Sequence, residues 1–459
     1  MIALARPHSQ ARDTGEAFVQ AFIVCLVVIS LPIKNAAYLA APIYVAISAL
    51  QGRFRFLRRL LLIATGLLLI SSASMMWDAM SGTEVNVSGL LLSFLTFLPF
   101  LVLFAERPDK PLSEKHFSKL VHVACWFLII QSAIGVAQFV VSGNPDAVCG
   151  SFGLMDFAKG TITITQVFFT FTMFGMILLL MVARQTPLTL TAMLLGLVTC
   201  ALAQSGHQTI FFVASMAALG FSRVSRPSTI LATGLVAGLI FAATMIVYPQ
   251  TIELTRDWYR KVVNDARSPK RMAVEGGVEI MSDVKNMAFG TGLGQYSSRA
   301  ALISSNEYLT VTLPSPMVGM SDYYRDHIRP ATRVFEEVGE GSAISKPYFS
   351  WLGFLVELGL IQFFVLLALI AASFVDNWRL MRHELRSVAR VGFVANVGIM
   401  FFVLCCAIEN YAEFPQAVFI PFLLYVAVRS KAKFDLSRAP VGQAGRRGKP
   451  IQSLQPALA

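Results

Sequence analysis

Long apolar runs alternate with short polar connections along the chain. An uninterrupted apolar run of about 17 to 25 residues is long enough for a helix to cross a bilayer. The pattern predicts an all-α polytopic membrane protein with about twelve transmembrane helices, several of them short. The predicted spans are residues 17–33, 37–50, 60–76, 88–105, 119–141, 160–183, 188–203, 208–221, 228–248, 347–371, 391–408 and 415–428.

The composition agrees with that pattern. Hydrophobic residues make up 55% of the chain and charged residues only 14%, whereas a soluble domain carries about 25% charged residues. The mean hydropathy is +0.63. Too little polar surface exists to cover a water-soluble globule, so soluble enzyme classes are excluded.

The net charge of +11 does not indicate a nucleic-acid partner, because the basic residues are distributed between apolar segments instead of forming one face. With a cytoplasmic N-terminus, the inner connections and tail hold 24 Lys and Arg, and the short outer loops hold only Lys34 and Lys159. This asymmetry predicts an inner-membrane protein with both termini in the cytoplasm.

Four regions follow from these patterns. Residues 1–248 hold predicted spans one to nine, 249–346 form a periplasmic loop domain, 347–428 hold spans ten to twelve, and 429–459 form a basic cytoplasmic tail expected to be disordered. The tail is expected to touch anionic membrane lipids.

The six cysteines show neither a disulfide framework nor zinc-ligand spacing.

The long segment, residues 249–346, is far longer than an ordinary connection. It holds 12 basic and 12 acidic residues, and its length favours a partly helical lid for surface chemistry over a simple transporter loop. A helical pattern begins at Arg271 and ends before the glycine turn Gly290–Tyr296. The turn lacks the strand and the Lys-Ser or Lys-Thr pair of a nucleotide cradle, so it is either a structural turn or a place of close substrate approach at Gly292 and Gly294.

Four short motifs follow one another between residues 145 and 371. They are Gly150–Ala158, Gln204–Thr209, Arg271 with the Gly290–Gly294 turn, and Tyr348–Leu360 with its Glu-x-Gly. In these motifs and their order the chain resembles the O-antigen polymerase and ligase superfamily. Both asparagines of the family's first motif are missing, and His207 and Gln208 stand where the family has Arg.

The resemblance implies transfer of a saccharide from an undecaprenyl pyrophosphate carrier to an acceptor sugar at the periplasmic face, with no metal or nucleotide cofactor. A repeat-unit polymerase is favoured, with other polysaccharide export proteins as further partners. An O-antigen ligase is the first alternative, although the family's ligases have a His-Asn pair where this chain has Tyr348 and Phe349. A lipid-linked saccharide transporter or flippase is the second.

Such a transfer needs cations to hold the departing diphosphate. Arg271, flanked by Arg267 and Lys270, is the first candidate, because a guanidinium bonds phosphate oxygens in pairs. The alternative is pairing with nearby acids such as Glu275. A second basic group comprises Arg325, Arg329 and Arg333 at i, i+4 and i+8, with neutralisation by neighbouring acids as its alternative.

A base must also take the acceptor proton. Glu357, in the tenth predicted span, is a candidate, with a structural carboxylate as the alternative reading. His327 is the only histidine of the long segment and is a second candidate. His207 and Gln208 are candidate donors to phosphate or sugar, and Tyr348 is a candidate for sugar stacking. Glu409 and Glu413 are expected to be solvated loop acids, with lining of the same cavity as the alternative.

Overall fold

The computed structural model describes residues 14–106, 112–158, 165–203, 205–221, 267–306, 313–338 and 346–438, and these residues form helices and loops without any strand. Helices before residue 222 are α1 (Thr14–Ser30), α2 (Ala40–Leu50), α3 (Phe54–Met80), α4 (Val87–Ala105), α5 (Glu114–Ser142), α6 (Leu154–Ala158), α7 (Thr165–Val182), α8 (Pro187–Leu202) and α9 (Gly206–Phe221). Helices after residue 266 are α10 (Pro269–Ile280), α11 (Val284–Phe289), α12 (Arg299–Ser305), α13 (Arg329–Val338), α14 (Ser350–Met381), α15 (Arg386–Cys405) and α16 (Pro415–Arg438). Short 3-10 turns cover Lys34–Leu39, Pro145–Ala147, Ser315–Met317 and Tyr411–Glu413, and a π turn covers Tyr324–Ile328.

The predicted all-helical class is confirmed for the described residues. Helices occupy eleven of the twelve predicted runs, and the remaining run, 228–248, lies outside the described residues. Within the described residues, six helices are long and apolar enough to cross a membrane, which indicates a membrane-embedded protein. They are α3, α4, α5, α7, α14 and α15.

The helices differ in how much of their apolar surface faces outward. In α7, 83% of the most hydrophobic window is buried, so this helix lies inside the bundle. In α14 the corresponding share is 11%, and side chains such as Ile361 and Phe364 are exposed. An apolar side chain is stable on an outer surface when that surface meets lipid tails, so the exposed faces fit a bilayer better than water.

Several helix boundaries differ from the sequence prediction, for example the end of α14 at Met381 instead of residue 371. Helix α3 begins at Phe54, so Arg55, Arg58 and Arg59 belong to its first turns instead of to a loop. The helical pattern after Arg271 is divided between α10 and α11. Helix α16 continues to Arg438, so the first ten residues of the tail are helical and not disordered. The rest of the tail lies outside the described residues.

The long segment packs on the membrane helices through its own hydrophobic cluster. That cluster joins α10 and the π turn to the first turns of α14, with Tyr296, Tyr324 and Val356 among its fully buried members. A partly buried ion pair adds a second attachment, because Lys285 Nζ lies 2.6 Å from Asp78 Oδ2 at the end of α3. The long segment therefore packs against the start of α14 and pairs with the end of α3.

The proposed orientation predicts which connections a water-soluble reagent can reach. Ser282, in the long segment, and Ser387, near the start of α15, are both exposed, so a cysteine at either position leaves packing unchanged. In intact spheroplasts we expect a membrane-impermeant thiol reagent to label Ser282→Cys and not Ser387→Cys. The six native cysteines are all buried, which keeps the background low. Labelling of Ser387→Cys alone would reverse the orientation.

Candidate functional site

The glycine turn, Gly290–Tyr296, is hydrogen-bonded to helix α14 at a point where that helix is interrupted. The helix breaks at Gly359, whose φ of 69° and ψ of 171° are not helical. A break leaves carbonyl groups without their helical partners. The carbonyl of Val356 accepts a hydrogen bond from the Thr291 amide at 3.0 Å, and the carbonyl of Glu357 accepts one from the Gly292 amide at 3.0 Å. The turn therefore completes the hydrogen bonding of the interrupted helix.

The Glu357 side chain holds the same turn. Its carboxylate is buried and accepts hydrogen bonds from the amides of Gly294 at 2.8 Å, Tyr296 at 2.9 Å and Ser298 at 3.1 Å. Hydrogen bonds to an ionised acceptor are the strong ones. Because both carboxylate oxygens are occupied by backbone amides, this arrangement fits the structural reading of Glu357 and not the role of a base.

The turn needs glycine because backbones meet there. Gly290 has a φ of 76° and Gly294 a φ of 78°, a region that side chains rarely allow. A Cβ on Gly290 would collide with the carbonyl of Glu357, and one on Gly294 would collide with the backbone of Gly89. Gly292 lies against α3, where a Cβ would come within 2.7 Å of Met75 Cγ. In this structure the predicted substrate-contact residues Gly292 and Gly294 thus serve close packing.

Two buried lysines and one buried carboxylate form what we term the lysine cluster, Lys270, Lys346 and Glu409. Lys346 Nζ lies 3.0 Å from Glu409 Oε1, and both side chains are almost wholly buried. Lys270 Nζ donates a hydrogen bond to the carbonyl of Ile408 at 2.5 Å. It also lies 5.4 Å from the centroid of the Phe349 ring. The cluster joins the start of α10 to the loop between α15 and α16.

Burial changes the protonation of the lysine cluster. Loss of solvation lowers the pKa of Lys270 to about 7, with the Glu409 carboxylate opposing that change and Lys346 adding to it. Both amines therefore interact with the Glu409 carboxylate. An anion entering the cluster would raise the pKa of Lys270 again, because a nearby negative charge favours the charged amine.

Helix α9 brings His207 to the same loop. His207 Nε2 and the Tyr411 hydroxyl are 2.7 Å apart, and their rings are stacked. Gln208 is buried and donates a hydrogen bond to the carbonyl of Val167 at 3.3 Å. His207 therefore contacts the loop through Tyr411, and Gln208 contacts both α7 and Tyr411.

A second charged group is formed around Glu413 of the same loop. One oxygen of the Glu413 carboxylate accepts a hydrogen bond from the Arg299 amide. The Arg299 guanidinium stacks 4.1 Å above the Phe414 ring and donates to the Tyr38 hydroxyl. Burial, followed by the charge of Glu357, raises the pKa of the Glu413 carboxyl well above its usual range. Glu409 and Glu413 are thus buried, and the expectation of solvated loop acids is corrected.

Arg271, the first cation predicted from sequence, lies on a different face from Lys270. Its Nε is 2.7 Å from Glu275 Oε1, and both side chains are largely exposed, as in the pairing alternative. Arg267 is also exposed. The helix therefore turns Lys270 inward and Arg271 outward, since neighbouring residues on a helix point about 100° apart.

The remaining candidates lie at the π turn and α13. Arg325 pairs with Asp322 and with Glu84, the latter at 2.8 Å, which matches the neutralised alternative for this group. His327 Nδ1 lies 3.8 Å from the exposed Glu279 carboxylate. Arg329 is half-buried at the start of α13, and Tyr348 is buried in the hydrophobic cluster of the long segment.

Sequence reasoning gave no role to Lys346 or Arg299 and a low rank to Glu409 and Glu413. The available signal was the setting of these two acids, a short loop between two apolar runs that holds Asn410 and Tyr411 but no basic residue. Unpaired acids in such a loop require partners from elsewhere in the chain. Those partners come from residues more than sixty positions away, so local spacing could not show them.

Comparison with known proteins adds no relative. No protein-family model matches the chain, and no curated protein is significantly similar to it.

The structural role of Glu357 can be tested by stability. Glu357→Ala should leave three buried amides without their acceptor, at about 1.5–3 kcal/mol for each lost charged hydrogen bond, and should lower the thermal unfolding temperature of the detergent-solubilised protein strongly. Glu357→Gln keeps one acceptor oxygen, so the unfolding temperature of this variant should fall less. Asp376→Asn, on an exposed stretch of the same helix, is the matched control. Equal unfolding temperatures for all three variants would remove Glu357 from this role.

Proposed function

We propose that the protein is a bacterial inner-membrane glycosyltransferase that polymerises undecaprenyl-pyrophosphate-linked repeat units in O-antigen, capsule or exopolysaccharide synthesis. The observation that carries the proposal is the lysine cluster, two buried amines beside one carboxylate in a membrane-embedded protein. The resemblance of the four motifs to the polymerase and ligase superfamily supplies the substrate class.

The proposed donor site uses the lysines as the cations that hold the carrier pyrophosphate. A buried amine is costly unless it has partners, and here two amines are buried beside the Glu409 carboxylate. A pyrophosphate entering the cluster would gain two charged donors in a place of low dielectric, where such contacts are strong. Both lysines are buried, so donor binding has to open the contacts that Lys270 and Lys346 make with the 408–409 loop.

The arrangement of helix starts supports an anion site at the same place. Lys270 lies in the first turn of α10, and Ser350, the first residue of α14, donates its amide and hydroxyl to the Glu409 carbonyl at 3.3 and 3.2 Å. Helix starts carry partial positive charge. In the proposed topology of twelve spans with cytoplasmic termini, these starts face the periplasm together with segment 249–346.

A flippase remains the second candidate, because a broken spanning helix is typical of transporters and α14 is broken at Gly359. The carbonyls of Val356 and Glu357, next to that break, accept amides of the glycine turn and are not left to line a pathway. This difference favours the enzyme.

The proposed function is tested by the lipid-linked saccharides that accumulate in a strain lacking the gene. We expect single repeats on the carrier, reversed by the wild-type gene. Long carrier-linked chains would mean a ligase, and repeats trapped on the cytoplasmic leaflet would mean a flippase.

Mutation can distinguish the contribution of Lys270 to activity from that of Arg271. Lys270→Ala should reduce polymer by about 100 to 1000-fold, the usual effect of removing one preorganised charged donor. Arg271→Ala, one residue along the same helix, should leave polymer close to the wild-type amount, because its side chain pairs with Glu275 on the surface. The measurement is polymer per unit of membrane-inserted protein in the deletion strain. Loss in Arg271→Ala together with normal polymer in Lys270→Ala would reverse the assignment.

The protonation of Lys270 predicts a pH dependence. Its pKa of about 7 is lower than that of an ordinary lysine, so the amine of the free protein loses its charge as the pH rises through that value, with Glu409 and Lys346 as the facing charges. The KM for the lipid-linked donor should therefore rise above about pH 7 in washed membranes. In Lys270→Arg the guanidinium stays charged, and this rise should disappear. An identical pH profile in both proteins would exclude Lys270 as its cause.

A further inference from the structure

A methyl-sized position beside Gly353 is bordered by polar atoms. A Cβ built on Gly353 would lie 3.5 Å from Ser297 Oγ and 4.0 Å from Glu413 Oε1. Both side-chain oxygens are buried and make no hydrogen bond. The same holds for the side-chain oxygen of Asn410, Oδ1, whereas the amide nitrogen of Asn410 donates to the Ser297 carbonyl at 2.8 Å. Among the described residues, two buried oxygens without partners thus border the Gly353 position, and a third belongs to Asn410, which is hydrogen-bonded to the Ser297 carbonyl.

Buried polar atoms are nearly always hydrogen-bonded, and exceptions indicate a missing ligand or water. The three groups offer a carboxylate oxygen, a hydroxyl and an amide oxygen. Two of them only accept hydrogen bonds, so the matching occupant is a hydroxyl donor and not an anion. This separates the space from the lysine cluster, whose amines only donate.

We propose that the space beside Gly353 receives the attacking hydroxyl of the acceptor saccharide and that Glu413 Oε1 takes its proton. The inference rests on the proposed glycosyltransferase function and deepens it. Glu413 is then a catalytic residue, and Ser297 and Asn410 orient the hydroxyl.

The step balances in its atoms and electrons. The hydroxyl proton moves to Glu413 Oε1, and the hydroxyl oxygen forms a bond to the anomeric carbon of the donor. The bond between that carbon and the pyrophosphate oxygen breaks, and its electron pair leaves with the pyrophosphate. Glu413 then returns the proton to water.

The surroundings of Glu413 suit this role. Its other oxygen is held by the Arg299 amide, which fixes the carboxylate and leaves Oε1 directed to the space. Burial and, after it, the nearby Glu357 charge raise the pKa of Glu413 and make its carboxylate a stronger base, while Arg299 opposes that effect. The other titratable groups beside it are the buried Tyr38 hydroxyl, which accepts from Arg299, and the buried Cys406 thiol.

The first arm of the test removes the base. The assay uses washed membranes and, as probe, lipid-linked repeats extracted from the deletion strain. Glu413→Gln should lower the polymerisation rate about 100-fold or more, as removal of a general base does. The wild-type rate should fall as the pH is lowered, because protonation disables the carboxylate, and this loss should be absent from the residual rate of Glu413→Gln. A purely structural Glu413 would change the unfolding temperature and leave the pH profile as in the wild type.

The second arm fills the space and removes no charge. Gly353→Ala adds a methyl group at ordinary contact distances from its neighbours, so the protein should fold, and its rate should fall at least tenfold. Gly398→Ala, where the added Cβ would lie 3.6 Å from the Leu178 side chain in another long helix, is the matched control and should stay within twofold of the wild type. If Glu413→Gln does not reach the membrane, this arm decides alone.

The outcomes separate the two proposals. Wild-type membranes that fail to polymerise the extracted repeats would overturn the proposed function. Active wild-type membranes with an unchanged rate in Gly353→Ala, or a rate within twofold in Glu413→Gln, would overturn the acceptor site while leaving the polymerase proposal in place.

Discussion

The hydrogen bonds between the Glu357 carboxylate and three amides of the glycine turn are the interaction on which the rest of the structure depends. They join a charge inside helix α14 to backbone that would otherwise be buried without partners. In a low-dielectric setting each side needs the other, since neither an unpaired carboxylate nor an orphan amide is tolerated there. The glycine turn and the break in α14 therefore depend on each other for their hydrogen bonds.

This junction also positions the charged groups around the 408–413 loop. The turn leads through Ser297 and Ser298 into α12, whose first residue, Arg299, holds Glu413 by its amide. The same serine pair reaches the loop again, because the Ser297 carbonyl accepts from Asn410. The Lys346–Glu409 pair, just before α14 begins, involves the same loop. One loop thus holds a cationic group and an acidic one through separate residues, Glu409 and Glu413.

That separation has a chemical consequence for the proposed transfer. A glycosyl donor with a pyrophosphate leaving group needs positive charge where the bond breaks, and its acceptor needs a base where the new bond forms. Both groups cannot occupy the same place without neutralising each other. Here the lysine amines and Glu413 are held by different partners, namely Glu409 and the Ile408 carbonyl for the lysines, and the Arg299 amide for Glu413.

The apolar runs alone determined the helical class and most helix positions, because a run of such length must bury its backbone in hydrogen bonds within itself to enter lipid. Helix ends were less well determined, since α3 and α16 continue into polar residues that the bilayer argument does not reach. The glycine pattern of 290–294 correctly indicated a tight turn. The sequence did not indicate which residues that turn packs against.

Only the tertiary structure decided which charges are buried. Lys270 and Arg271 are equivalent by composition, yet the register of α10 on its neighbours buries the first and exposes the second. Glu413 and Arg299 are 114 positions apart and meet because the long segment folds back onto the bundle. Local spacing carries no information about such contacts, since they depend on how helices pack rather than on how each one forms.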